Sequence, residues 1–241
     1  MKALDKQLNH VKTLCFLDLE GTQFSHEMIA LGAVKVNIRK DGTVKKIHRG
    51  IYTLVKSKNR VGKVVTDLTG ITDNQLKNNG IPFRVAVDQL KKYMGRDFTK
   101  CKYVTFGSHD LRIISQSLAY NLDAKKEDVQ VLIKHNFDFA EFASNYVKDE
   151  NNNTYSLTNF LKVFNVEFRG SQHNALADAL NLVYLYDAFL KNKDILEDEY
   201  MKVLAKMRHI PEPIHLILQD LLEKKSVTLE EFEQHVHESL E

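Results

Sequence analysis

Tryptophan is absent from these 241 residues, and only two cysteines and three prolines occur. The cysteines, Cys15 and Cys101, sit in apolar stretches that read as buried strands. That excludes a disulfide framework and a cysteine-rich zinc site, and sets a reducing cytoplasm as the expected location. No apolar run approaches the ~18 residues needed to span a bilayer, so no membrane partner is expected. The opening stretch MKALDKQLNHVK is too polar for a signal peptide. There is no internal repeat and no long low-complexity segment.

What is present is an ordinary globular composition, 43% hydrophobic and 27% charged. The length suits one domain of roughly 200 residues with an appendage. The formal net charge of +2 hides a gradient. Residues 1–60 carry 12 basic against 5 acidic side chains, residues 61–193 carry 17 against 15, and residues 194–241 carry 5 against 12. The basic front half is the candidate for a polyanionic partner.

The hydrophobic pattern gives the elements. Thr13–Leu19 is short and apolar, a buried strand. Met28–Arg39 alternates toward its end, Asp41-Gly42 supplies a turn, and Thr43–Val55 returns as a third strand. These three form an antiparallel meander. Thr72–Gln75 is a capping box that opens a short helix. Phe83, Val87, Leu90 and Met94 recur at helical spacing after Pro82. Cys101–Phe106 is a fourth strand, followed by a helix with Leu111, Ile114 and Leu118 on one side. Residues 129–140 read either as a short fifth strand near Phe137–Phe139 or as the start of a helix. Leu157, Phe160, Leu161 and Phe164 form another helical stripe, and Ala175–Leu190 is a strong helix. The expectation is an α/β domain over residues 1–193 with a mixed five-stranded sheet, a meander and then parallel strands, flanked by helices. Residues 194–241 read as an acidic helical extension, its three apolar stripes broken by Pro211 and Pro213 and capped anew at Thr228.

Four carboxylates stand out. Asp18 and Glu20 lie two apart at the end of the first strand, on one face. Such a pair is costly to desolvate unless a cation compensates, and oxygen-only ligands suit Mg²⁺ or Mn²⁺. Asp110 falls at a helix start after the fourth strand, beside His109, which reads as solvent-exposed. Asp178 sits in an apolar helix, five residues after His173.

Three segments then carry a resemblance: Phe16-Leu-Asp18-Leu-Glu20-Gly-Thr22, Phe106-Gly-Ser-His-Asp110 and His173-x-Ala175-x-x-Asp178. In this order they resemble the DEDDh 3′→5′ exonucleases, which share a ribonuclease-H-like fold with ribonuclease T and proofreading subunits. Met28–Val34 resembles the family's second strand, and the likeness, covering roughly residues 10–192, is nearest to the ERI-1-like and KapD-like branch. Gly21 departs from the Thr or Ala that many members carry there. The resemblance implies hydrolysis of phosphodiester bonds at single-stranded 3′ ends with two divalent cations, RNA favoured over DNA. Asp18 would bridge the cations, Glu20 and Asp178 would complete one site, and Asp110 would hold the other. His173 would be the general base. Leu68, Thr69, Gly70 and Ile71 resemble the family's segment beside the terminal base, and Phe24 is a candidate for stacking. Lys45, Lys46, Lys56 and Lys58 are candidates for phosphate contacts. Two other readings stand beside this one: a DNA-directed proofreading-type exonuclease, and a non-catalytic adaptor that binds nucleic acid with the same fold. The tail helices need a covering surface, which points to oligomerisation, docking on a partner protein, or packing on the domain itself.

Overall fold

The apolar stretch beginning at Thr13 forms the central strand β1 (Thr13–Gly21) of the computed structural model, which describes residues 1–207 and 209–240. Strand β2 (Met28–Ile38) pairs with it antiparallel, setting Asp18 opposite Gly32 and Glu20 opposite Ala30. Two short strands, β3 (Val44–Ile47) and β4 (Ile51–Leu54), both pair antiparallel with β2. On the other side β5 (Lys102–Thr105) runs parallel to β1, and β6 (Asn136–Asp138) runs parallel to β5. The sheet order is β3-β2-β1-β5-β6, with β4 beside β2. This is the expected mixed sheet, with its third position filled by two strands rather than one. The break falls at Gly50, where a Cβ would stand 2.4 Å from the Leu176 side chain.

The period of two divides the sheet's side chains between two layers. Leu14, Phe16, Val34 and Val36 face one layer. It is built from α1 (Lys2–Leu8), α7 (Phe139–Ala143), α8 (Leu157–Val163) and the long α9 (Ala175–Lys191). Cys15, Leu17, Leu31 and Ala33 face the other, built from α4 (Phe83–Met94), α5 (His109–Tyr120) and α6 (Lys126–Lys134). Helices α2 (Lys63–Thr69) and α3 (Asp73–Asn79) close the sheet's edge, and Val61, Ile71 and Leu76 pack there against Ala175. The capping box at Thr72 and Gln75 is present. Helix α1 was not expected from so polar a stretch. It forms because Leu4 and Leu8, one turn apart, fill the first layer at 0% and 4% exposure. In α5 the buried face is Asp110, Ile113, Ile114 and Ser117, rotated from the stripe expected through Leu111. Ser117 is drawn in because its hydroxyl accepts from the Met28 amide at 2.8 Å and donates to the Ile113 carbonyl at 2.7 Å.

The acidic tail forms α10 (Lys193–Ala205), α11 (Glu212–Leu222) and α12 (Leu229–Glu238). Among the described residues, α10 packs on the domain. Ile195 and Leu196 pack on the first layer, and Tyr200 meets Tyr146 with ring centroids 5.1 Å apart. Among the described residues of α11 and α12, Pro213 alone is buried. No helix of the described residues is long and apolar enough to cross a membrane.

Candidate active site

β1 directs Asp18 and Glu20 to the side on which α9 packs. What brings α9 close is the missing side chain at Gly32, opposite Asp18. A Cβ on Gly32 would lie 2.1 Å from the Ala175 carbonyl carbon, so only glycine lets the first turn of α9 cross β2 here. Asn174 caps that turn, its side-chain oxygen accepting from the Ala177 amide at 3.1 Å. Asp178 lies in that first turn. Carboxylate oxygens of Asp18, Glu20 and Asp178 then lie within 4.8 Å of one another.

Asp110 arrives from the opposite layer, at the start of α5. It is 5% exposed, and its Oδ1 accepts from the Leu19 amide at 2.9 Å, which pins α5 to the strand between the other two acids. It stands apart from the close trio but lines the same cavity, of about 610 Å³. His173 lines that cavity too, exposed, on a loop where its φ is +60°. A positive φ at a residue other than glycine is uncommon. All five expected residues thus meet around one cavity at the end of β1. His109 is exposed, lines its rim and packs edge-on against His26 at 5.4 Å between ring centroids.

The electrostatics are those of a cation site without a protein cation. Burial first, then repulsion from Asp178 and Asp110, pushes the Glu20 carboxyl up to about 8. Burial lifts Asp110 to about 7 against the opposing pull of the Leu19 amide. It lifts Asp178 to about 6, opposed by His173. Asp18 rises well above the usual carboxylate range through burial and then repulsion from Asp110, Asp178 and Glu20. The ion pairs of the described residues all lie elsewhere. An oxygen-only donor set of this charge fits hard divalent cations.

The expected base-contacting residues lie outside the cavity lining. Phe24 is 82% exposed and Leu68 54% exposed, both open to a ligand. Ile71 faces inward at 5% exposure, in the edge core with Leu76 and Ala175. Thr69 is occupied locally, donating to the Val65 carbonyl and accepting from the Ile71 amide. Gly70 ends α2 at φ +73°, a left-handed cap that favours glycine. Phe106, Ser156, Thr158, Asn159 and Gln172 line the cavity without having been singled out from the sequence. Their only sequence signal is the cap-like Ser156 before the Leu157 stripe.

A family profile described as Exonuclease, of the RNase T type, matches residues 15–186. No curated protein matches significantly. Among solved structures, the nuclease domain of 3'hExo, a DEDDh family member bound to rAMP, superposes with a TM-score of 0.62 at 20% identity. That match covers 78% of this chain and 95% of that one. Cell-death related nuclease 4 gives 0.59 at 20% identity, covering 76% and 64%. E. coli exonuclease I with single-stranded DNA gives 0.59 at 15%, covering 85% and 46%. At such identities these likenesses speak to the fold.

Proposed function

The chain belongs to the RNase T exonuclease family, and from that premise we propose that it removes nucleotides from single-stranded 3′ ends, with RNA favoured. The observation that carries this is the meeting of four carboxylates with His173 and His109 around a single cavity with no lysine or arginine to balance them. Asp18, Glu20 and Asp178 would hold one divalent cation, Mg²⁺ or Mn²⁺, and Asp18 with Asp110 a second. When bound, such ions offset the charge of the phosphoryl group and acidify water.

The chain's own residues do the rest. His173 accepts a proton from the attacking water, which suits an imidazole near neutral pH. Asp110, fixed by the Leu19 amide, keeps α5 and β1 in register, so the acids stay at fixed separations. Phe24 and Leu68 offer exposed apolar surface to the terminal base. The likeness to a domain solved with rAMP supports RNA, and the likeness to an exonuclease solved with single-stranded DNA supports the DNA-directed alternative. The exposed stripes of α11 and α12 support oligomerisation or docking on a partner protein, and the two free, buried cysteines suit a reducing cytoplasm.

The test compares 5′-labelled single-stranded and duplex RNA and DNA of one sequence, with Mg²⁺, Mn²⁺ or chelator. Stepwise shortening from the 3′ end that needs the metal is expected, fastest on single-stranded RNA. Asp18→Ala and Asp178→Ala are expected to lower the rate by at least ~10³-fold with the fold retained. Turnover by either variant at the wild-type rate would remove the carboxylates from the mechanism.

A further inference from the structure

A second cavity, of about 570 Å³, lies between α3 and the loop that precedes α2. Lys56, Lys58, Arg60 and Lys77 line it against one carboxylate, Asp73. Asp73 is spent locally, its Oδ1 accepting from the Val61 amide at 2.9 Å. The Lys58 ammonium donates to the Tyr120 carbonyl at the end of α5. Lys56, Arg60 and Lys77 are exposed and enter none of the ion pairs of the described residues.

Glu27 fixes the loop that carries Lys56, Lys58 and Arg60, while Lys77 belongs to α3. Glu27 is 1% exposed. It accepts from the backbone amides of Lys58 and Asn59, both at 2.9 Å, and from the Asn59 side chain at 2.6 Å. A buried carboxylate satisfied by backbone donors holds its loop firmly while leaving the loop's cations unneutralised. Glu27 also closes the turn that follows Glu20. The Thr22 amide donates to its carbonyl at 2.8 Å, and its own amide donates to the Thr22 hydroxyl at 2.9 Å. On the other side Val61 and Leu76 pack on Ala175, where the helix of Asp178 begins. The cationic cleft is therefore braced against both the strand of Glu20 and the helix of Asp178.

We infer that this cleft is an exosite for the phosphodiester backbone of the strand whose 3′ end enters the carboxylate cavity. The inference rests on the exonuclease reading and extends it upstream along the substrate. Cations held on a preformed loop bind phosphates with little ordering cost. Another cleft lined by basic residues, Lys12, Arg39, Lys40 and Lys45, lies at the start of β1. At about 3.3 Å per residue it is some 25 Å along the strand from Glu20, so it serves as the control.

The experiment measures fluorescence anisotropy of fluorescein-labelled twelve-nucleotide single strands, RNA and DNA, with the full chain in chelator across a salt series. For the double variant Arg60→Ala with Lys77→Ala, affinity is expected to fall about tenfold at ~100 mM salt. The slope of log affinity against log salt is expected to become shallower by about 1.4, at about 0.7 per lost phosphate contact. Lys12→Ala with Lys40→Ala is expected to change neither. An unchanged affinity and slope in the first variant, or an equal loss in the second, overturns the exosite. A dinucleotide, too short to reach the cleft, is hydrolysed by wild type and by Arg60→Ala with Lys77→Ala alike. Failure of the wild type to shorten the twelve-nucleotide strand with Mg²⁺ or Mn²⁺ overturns the exonuclease reading, while the binding comparison in chelator still decides the cleft.

Discussion

The crowded carboxyls make the folded chain a proton trap. In an unfolded chain these groups titrate near ~4, whereas Glu20 in the fold is pushed up to about 8 and Asp110 to about 7. Between those values the native state binds more protons than the unfolded state, so metal-free stability falls as pH rises from about 4 to about 8. A higher melting temperature at pH 5 than at pH 8 is expected in chelator, and Mg²⁺ should raise the pH 8 value by the larger amount. Glu20→Gln should raise the metal-free melting temperature at pH 8 and flatten its dependence on pH. Melts by circular dichroism that are level across this range would contradict the repulsion. Much of this was legible in the sequence, because a period of two puts Asp18 and Glu20 on one face whatever the fold. The Leu19 amide that holds Asp110 was not legible, since the partners are 91 residues apart and meet only through the parallel pairing of β5 with β1. Nor could the Leu68–Ile71 stretch be sorted by residue type. Leu68 and Ile71 are both apolar, and only the packing of α2 against the sheet edge turns one outward and the other inward.

At the level of elements, one strand glycine decides whether the acids meet. Gly32→Ala would thrust a methyl group into the backbone of Ala175, and backbone, unlike a side chain, cannot rotate away. Overpacking of this kind costs about 1–3 kcal/mol. It should also shift α9, and a displacement of about 1 Å at a reacting group is enough to lower turnover ~10²-fold. The expected signature is a larger loss of hydrolysis than of melting temperature. Activity kept within a factor of two would show that α9 enters by another route. The sequence displays Gly32 only as one small residue in an apolar run, because its role depends on a helix more than 140 positions away. The same holds for Gly50, which splits the expected third strand where Leu176 presses on it. The first two strands, the strand before α5, the capping box at Thr72 and the long α9 were legible because each follows from spacing within a short window.

Across the whole molecule, charge is divided between parts that differ in how firmly they are attached. Residues 1–193 hold 29 basic against 20 acidic side chains, and residues 194–241 hold 5 against 12. Helix α10 is anchored through Ile195, Leu196 and Tyr200, whereas α11 and α12 leave Ile214, Leu221 and Leu229 exposed. Deleting residues 211–241 should therefore change stability by no more than about 0.5 kcal/mol. Deleting 194–241 as well should cost about 2–3 kcal/mol, from the apolar area that α10 covers. Chemical denaturation of the two truncated chains gives the comparison, and equal stabilities would mean that α10 contributes nothing to the core. The anchoring was not legible, because an amphipathic stripe says that a helix needs a cover and not which surface provides it.

Helix α1 bears on how this protein is prepared. The family match spans residues 15–186, yet Leu4 and Leu8 before it are buried in the first layer and Phe189 after it is fully buried. A fragment trimmed to the matched boundaries would leave wet, sticky patches over Phe139, Phe142 and Phe164, on which Phe189 packs, and lose the first residues of the central strand. Such a fragment is suited to inclusion bodies rather than to assays, and the silence it gave would belong to the scissors and not to the enzyme.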